Sequence, residues 1–431
     1  MQIFGELNVD RQRKNQAISA AGVGGRNMSG PLTGFRVLDL AAVVSGPLTA
    51  ALLADQGAEV IKVERLTGDI QRHVGSQRNG FSGFFHVLNR GKRSIALDLG
   101  REEGIDIVHR LARDADVVIQ NFRPGVVNRL GIGYDHLSAE NPGLVYLSIS
   151  GFGQSGPRAG QRAYDPIIQS FSGIAQVQGR IHIEHPEVPE QVNMLLLDKL
   201  TAYTGSQAIT AALLARSKSG TGQHIELSML DTAIAFSWAD VAADLILQTE
   251  EGSTIDERPP IGASGHLTEY ADGWGATMTL SDAEFQGLCA AYELPQLAED
   301  SRFNTINGRM KHRNEYREVL QSTVAAAAKK LTLAEAEARL NKHEVPFARA
   351  GALTELAADP QVMNNKVFRD LHHPVAGRLR EARTAPRFIG TPLATPTPAP
   401  DIGQHTTEIL TELGLQERIK DLVDAGVIAA P

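Results

Sequence analysis

The sequence predicts an α/β protein built on a doubly wound parallel sheet. The first observation is a pair of short β-branched, apolar runs, FRVLDL at Phe35–Leu40 and AEVIKVE at Ala58–Glu64. Between them LTAALLADQ, Leu48–Gln56, has helical spacing and stops at Gly57, a residue suited to the position after a helix. Strand, helix, strand in that order is a βαβ unit, whose strands lie parallel. The third observation is two further buried-type runs, DVVIQN at Asp116–Asn121 and LVYLSI at Leu144–Ile149, which extend the sheet.

The remaining elements follow in order. Ser94–Leu97 reads as a short strand. Arg101–Asp114 reads as an amphipathic helix with Glu102 and Glu103 in its first turn, where the helix dipole favours them. Leu200–Ser217 reads as a long Ala/Thr/Leu helix of small residues, SGTGQ as a turn and His224–Ser228 as a strand. The composition changes near residue 250, where EEGSTIDERPPIGASGH is rich in Gly, Pro and charge. Beyond it, ATMTL (276–280) looks strand-like, and Asp282–Tyr292 and Leu333–Asn341 look helical. PLATPTPAPDIGQHT (392–406) is expected to run extended. Helices are expected at Thr406–Leu413 and Gln416–Ala425. The expected organisation is a flexible extension at 1–29, a large domain at 30–230, a linker and lid loop at 231–265, a small domain at 266–345 and a return to the large domain at 346–431.

Composition narrows the function. A chain of 431 residues exceeds the usual size of one core. A net charge of −8 argues against a general nucleic-acid or polyanion binder, though a local basic patch for one phosphorylated ligand stays open. The single cysteine, Cys289, excludes an internal disulfide and a multi-cysteine metal site, and fits a reducing cytoplasm. No apolar run approaches the roughly 18 residues of a membrane span, and residues 1–30 lack the apolar core of a secretory signal.

Candidate ligand loops lie at the carboxyl ends of the strands. AAVVSGP stands between the first strand and a helix N-terminus, where an anionic ligand settles, unless it is a plain turn. NFRPGVVNRLG (121–131) offers Arg123 and Arg129 at the end of another strand. The glycines of SGFGQSGP (150–157) bring backbone N–H groups close to a ligand, or make a mobile turn. NGFSGFFHVLNRGKRS, with Arg78, Arg90, Lys92 and Arg93, is either a phosphate site or a solvated loop. GVGGRNMSG (22–30) follows no strand and reads as a tail rather than a phosphate loop. HIEH (182–185) has no second metal-binding partner at helical spacing and reads as a polar surface loop. Asp165 and Asp198 are isolated carboxylates beside apolar or small residues. Each is either a working carboxylate with a raised pKa or a helix cap, Asp198 standing just before Leu200–Ser217.

Several long, ordered segments carry a resemblance: GPLTGFRVLDLAAVVSGPLTAALLADQGAEVIKVER, NRGKRSIALDL, ADVVIQNFRPGVVNRLG, SISGFGQSGP, YDPIIQSFSG and ALLARSKSGTGQHIELSMLD. The chain resembles the class III CoA-transferases of the CaiB/BaiF type, which include formyl-CoA transferase, carnitine CoA-transferase and the α-methylacyl-CoA racemases. The likeness is strong over residues 30–231 and looser beyond, through APRFIGTP and TTEILTELGL.

The resemblance implies an acyl-CoA:carboxylate CoA-transferase with a Rossmann-like parallel-sheet large domain plus a smaller α+β domain, in an interlocked homodimer. It implies coenzyme A as ligand and no metal, while the composition gives the expectation of a cytoplasmic setting without nucleic-acid or membrane partners. It places CoA contacts at Val43, Val44, Ser45, Arg65, Leu97, Asp98, Leu99, Gly100, Asn121, Phe122 and Arg129. In these transferases an aspartate attacks the donor thioester and then carries CoA to the incoming acid.

That aspartate normally follows the TG of a TG-x-x-D-G-P-P pattern, where this chain has QGRIHIEHPEVPE, with Glu184 and Glu187 the nearest carboxylates. The racemase branch pairs a His with an Asp; Asp198 matches the Asp, and Tyr164, beside Asp165, stands where the His would be. The candidate catalytic set is therefore Asp198, Asp165, Tyr164 and Glu184. An α-methylacyl-CoA racemase or epimerase, or a CoA-binding subunit needing a partner chain for catalysis, are the alternatives. Dicarboxylic, branched, and aromatic or steroid acids all remain open as substrates.

Overall fold

A computed structural model describes residues 29–181, 188–248, 250 and 267–430. At its centre is a seven-stranded sheet. Its strands are β1 (Arg36–Asp39), β2 (Glu59–Glu64), β3 (Lys92–Leu97), β4 (Val117–Gln120), β5 (Val145–Ser150), β6 (Gln223–Ser228) and β7 (Ile428–Ala429). Their spatial order is β7-β3-β2-β1-β4-β5-β6. Strands β1 to β6 pair parallel throughout. β7 closes one edge antiparallel, with Ile428 opposite Leu97.

This order carries the functional consequence. The chain winds outward from β1 through β2 to β3, then crosses back to place β4 on the other side of β1. The connections after β1 and β4 therefore part in opposite directions, and a crevice opens at the carboxyl ends of those two strands.

Helices cover both faces, because parallel strands buried on both sides expose no polar face to water. On one face, α1 (Ser45–Asp55) lies against the sheet. It is buried along nearly its whole length, which explains a sequence apolar on all sides rather than along one stripe. Next in the chain are α2 (Gly83–Asn89) and α3 (Glu102–Arg113). The other face is covered by α3 and by α6 (Thr406–Glu412), through Ile107, Val108, Leu111, Ile409 and Leu410. Alternation within β1 sorts the two cores: Leu38 joins the α3 side and Val37 the α1 side.

Three described helices lie between β5 and β6, among them α4 (Asp165–Phe171) and the long α5 (Leu196–Ser219); the third is Ile174–Ile181. α5 packs directly on α1. The contact is close because Gly205 has no side chain: a Cβ there would stand 3.1 Å from Leu147 Cδ2 and 3.2 Å from Thr49 Oγ1.

The chain divides into two compact units, residues 1–238 with 367–431, and residues 239–366. The second unit has its own core, built on Phe285, Leu288, Phe303 and Leu340. It holds a three-stranded antiparallel sheet of Leu267–Tyr270, Gly273–Thr277 and Phe347–Arg349. The strand Gly273–Thr277 stops three residues short of the end expected from ATMTL (276–280). Ser281 then opens the helix Asp282–Ala291 with a reciprocal capping box to Glu284, which withdraws the preceding residues from the ladder.

Candidate active site

The loop after β1 is held by charged groups buried beneath it. Asp39, at the end of β1, accepts from the Ala41 N–H at 3.0 Å and from Lys92 Nζ at 2.7 Å. Lys92 Nζ also donates to Pro47 O in the first turn of α1 and to Asn89 Oδ1. Lys62, in the middle of β2, donates to Ala41 O at 3.0 Å and to Asp69 Oδ2 at 3.2 Å. Asp69 then accepts from the Val43 N–H at 3.3 Å. Glu64 completes the cluster, taking Ser94 Oγ at 2.6 Å and a two-pronged ion pair from Arg72.

Each lysine is pulled in opposite directions. Burial pushes Lys92 down to about 8, against the pull of Asp39. Burial acts the same way on Lys62, but Asp39 and Asp69 outweigh it and raise its pKa. Both lysines are therefore paired cations inside the protein, and removal of one partner would leave an uncompensated buried charge.

These groups surround a strained residue. Val43 has φ 72, in the left-handed region that a β-branched side chain rarely enters. Such a conformation costs of order 1–3 kcal/mol and persists only where the surroundings dictate it. Asn121, at the end of β4, holds the loop from across the crevice. Its side chain donates to Ala42 O at 2.7 Å and accepts from the Ala42 N–H at 2.9 Å. Val44 precedes α1 as its N-cap residue without a capping side chain, and Ser45 opens the helix. Among the described residues no acceptor takes the N–H groups of Val44, Ser45 or Gly46. The helix start thus presents amides suited to an anion.

The two candidate aspartates stand together. Asp165, 1% exposed at the head of α4, accepts from Gln169 Nε2 at 2.6 Å and from the Asp198 N–H at 2.8 Å. Helix α5 starts at Leu196, earlier than the sequence implied, because Leu197 is fully buried in a core with Ile168 and Met229. Asp198 is therefore not the N-cap. It sits in the first turn, Leu195 before it supplies no capping oxygen, and Asp165 provides the missing acceptor from a neighbouring helix.

The Asp198 carboxyl has no protein partner among the described residues. Burial and, secondarily, the charge of Asp165 push its pKa up to about 7. One turn on, the Thr201 hydroxyl is fully buried and also without a partner.

One apolar cluster joins the two parts. Val44, Leu48, Leu52, Leu88 and Ala202 form it, with Val43 and Leu195 packed against it. α1 and α5 each run back from the carboxyl edge of the sheet, so their N-termini share one end, with Val43 and Asp198 both at that end.

The other sequence candidates fall at varying distances from this centre. Leu97 is buried at the end of β3, and Asp98 turns the chain there by accepting from the Gly100 N–H. Leu99 and Phe122 pack partly against the sheet core, and the Phe122 N–H donates to Gln120. Arg65 follows β2, exposed. Arg129 is exposed at the end of the short helix Val126–Arg129. Tyr164 precedes α4 with 61% exposure and supplies no capping bond. Glu184, HIEH, PPIGASGH and GVGGRNM lie outside the described residues.

Two readings of the basic run need correction. Arg90, Lys92 and Arg93 are neither solvated nor placed to meet a phosphate. They are buried and paired, with Asp55, Asp39 and Glu412 respectively. Arg78 donates to Ala376 O. Among the described residues no group of His, Cys, Asp and Glu is placed to hold a metal ion.

The residues missed from sequence are Lys62 and Asp69. The signal was present in part: AEVIKVE puts Lys62 between the apolar Ile61 and Val63 in mid-strand, a position that demands a buried partner.

A doubly wound sheet with a pinned loop at its switch point, beside a buried carboxylate of raised pKa, is the arrangement of an α/β enzyme. The chain belongs to CoA-transferase family III, whose model matches residues 32–406. It is 34% identical to a succinate–glutarate CoA-transferase of Agrobacterium fabrum, over 91% of this chain and 98% of that protein. It is 33% identical to a succinyl-CoA–D-citramalate CoA-transferase of Chloroflexus aurantiacus, over 90% and 95%. Among solved structures, a CaiB/BaiF family protein from Brucella suis superposes with a TM-score of 0.75 at 30% identity, over 89% of this chain and all of that one.

Proposed function

We propose that this protein moves coenzyme A from an acyl-CoA to a free carboxylic acid, with Asp198 as the carboxylate that changes partners. The observation that carries this reading is the Asp198 side chain: buried, unpartnered among the described residues and held at a pKa of about 7. A buried carboxylate without a partner costs stability, and such a cost is tolerated at working sites.

The steps balance as follows. The ionised Asp198 oxygen attacks the thioester carbon of the donor, the C–S bond breaks, and CoA leaves as thiolate. The product on the protein is a mixed anhydride. The thiolate then attacks the Asp198 acyl carbon and expels the donor's carboxylate, leaving an aspartyl thioester. An incoming carboxylate attacks that thioester to give a second anhydride and free thiolate. Thiolate attack on the acceptor's acyl carbon forms the new acyl-CoA and restores Asp198. Each exchange replaces one carboxyl derivative by another, so covalent catalysis splits a hard displacement into nearly balanced steps. The Asp165 carboxylate holds the first turn of α5 and thereby the direction of Asp198.

The loop Ala42–Ser45, with Asn121, Phe122, Arg65, Arg129 and the turn Leu97–Gly100, is the reading for CoA. Its support is the switch-point crevice and the open amides at the start of α1. The names of the two relatives make succinyl-CoA the first donor to test, with short dicarboxylic acids as acceptors. A homodimer in the cytoplasm fits the same reading. Tyr164, Ile167, Phe171, Met194 and Tyr203 are apolar and exposed around α4 and α5, as expected of a face that a second copy covers.

The test is CoA transfer by the purified chain, from succinyl-CoA to a panel of free acids, followed by chromatography. Formation of the acceptor's CoA thioester supports the reading. Deuterium exchange at the acyl α-carbon without CoA movement would replace it with α-proton chemistry, and no reaction without an added homologous chain would make this protein a subunit.

A further inference from the structure

We propose that Asp69 and Lys62 are positioning residues for coenzyme A, acting through the left-handed backbone of Val43. The inference rests on the reading that the Ala42–Ser45 loop binds CoA. Neither residue is placed to touch the ligand: Lys62 is fully buried and Asp69 is 6% exposed.

Three consecutive loop residues present polar backbone groups at the crevice, and each is taken by a side chain from another element. Asp39 takes the Ala41 N–H, and Lys62 takes the Ala41 carbonyl. Asn121 takes both groups of Ala42. Asp69 takes the Val43 N–H, with Oδ1 and Oδ2 at 3.4 and 3.3 Å. Lys62 bridges two of these contacts, holding Asp69 with the same Nζ that holds Ala41. Asp69 is itself fixed by donating its own N–H to Glu64 and by accepting the Gln71 N–H.

A valine left to itself would leave φ 72 for the extended region, and the N–H groups that follow it at the start of α1 would turn with it. The buried pair opposes that relaxation. Glycine would not need the clamp, since it enters the left-handed region freely. A strained residue surrounded by groups that enforce it points to preorganisation of a site rather than to chain stability.

The test is a cycle of Asp69→Asn, Val43→Gly and the double variant, reading KM for succinyl-CoA and kcat separately, with circular dichroism to confirm folding. Asp69→Asn is expected to raise KM about tenfold with kcat changed less than about threefold, the signature of lost ligand positioning. In the Val43→Gly background the same change is expected to raise KM no more than about threefold, a coupling that a structural role would not produce. Equal KM effects of Asp69→Asn in both backgrounds would overturn the proposal. Should Asp69→Asn fail to fold, Asp69→Glu, which keeps the charge facing Lys62 but displaces the carboxylate from the Val43 N–H, carries the same comparison. Hydrogen exchange of the 40–48 peptide with and without CoA separates the two ideas. Protection by CoA upholds the loop as its site whatever the cycle gives. No protection removes that reading and the positioning proposal together.

Discussion

The backbone N–H of Asp198 donates to the carboxylate of Asp165 at 2.8 Å, so one buried acid fixes the start of the helix that carries the other. The relationship is also electrostatic. Burial raises the Asp198 pKa first, and the Asp165 charge raises it further, to about 7. One neighbour thus fixes the position of Asp198 and adds to the proton affinity that burial sets.

The nucleophile must be ionised, so kcat/KM, which reports the free enzyme, is expected to rise with pH through a midpoint near 7 and to level off above it. Asp165→Asn removes the like charge while keeping a side chain that can accept the Asp198 N–H. The midpoint then moves to lower pH. A pH profile of kcat/KM over about pH 5 to 9 measures this, and an unchanged midpoint would show that Asp165 does not face the working group.

Asp198→Asn is expected to abolish transfer and to stabilise the fold. The folded protein keeps the Asp198 proton up to about pH 7, whereas an ordinary aspartate releases it near 3.8. The native state binds the extra proton, so stability falls as pH rises through that window. At about 1.4 kcal/mol per pKa unit, the upper bound on the loss is about 4 kcal/mol at neutral pH. Thermal unfolding at pH 7.5 should give a higher Tm for the asparagine variant, and the gap should close toward pH 4. An equal or lower Tm at pH 7.5 would contradict the raised pKa.

Asn121→Ala deletes both bonds to Ala42 across the crevice. Two hydrogen bonds at about 1 kcal/mol each predict a loss near 2 kcal/mol, partly in stability and partly in CoA affinity. Isothermal titration with CoA is expected to show about tenfold weaker binding. Full affinity in the variant would take Asn121 out of the site.

Gly205→Val forces a side chain into the contact of α5 with Thr49 and Leu147. Overpacking there typically costs about 1–3 kcal/mol. Because α5 carries Asp198 and α1 follows the Val43 loop, kcat should fall together with Tm; retained Tm and kcat would mean the helices can part without consequence.

Much of the sheet was legible because its signals are local. FRVLDL, AEVIKVE, DVVIQN and LVYLSI are apolar runs bounded by turns, and each became a strand of the central sheet. β7 left no such trace. Ile428 and Ala429 are two residues whose strand state comes from pairing with β3, far away in sequence. The start of α5 was misplaced for a similar reason. Asp198 has the look of a cap, but the burial of Leu197 and the remote acceptor on Asp165 pull the helix back toward Leu195. The loop at Val43 was visible as a ligand site from its place after β1. Its clamp was half visible: a mid-strand Lys62 calls for a buried partner, but that the partner is Asp69 is a tertiary fact.

The most direct test of the account is peptide mass mapping of the protein quenched during turnover with succinyl-CoA. The account predicts a CoA or acyl adduct on the peptide carrying Asp198, absent in Asp198→Asn. An adduct on Glu184 or another carboxylate, with Asp198 unmodified, would contradict it.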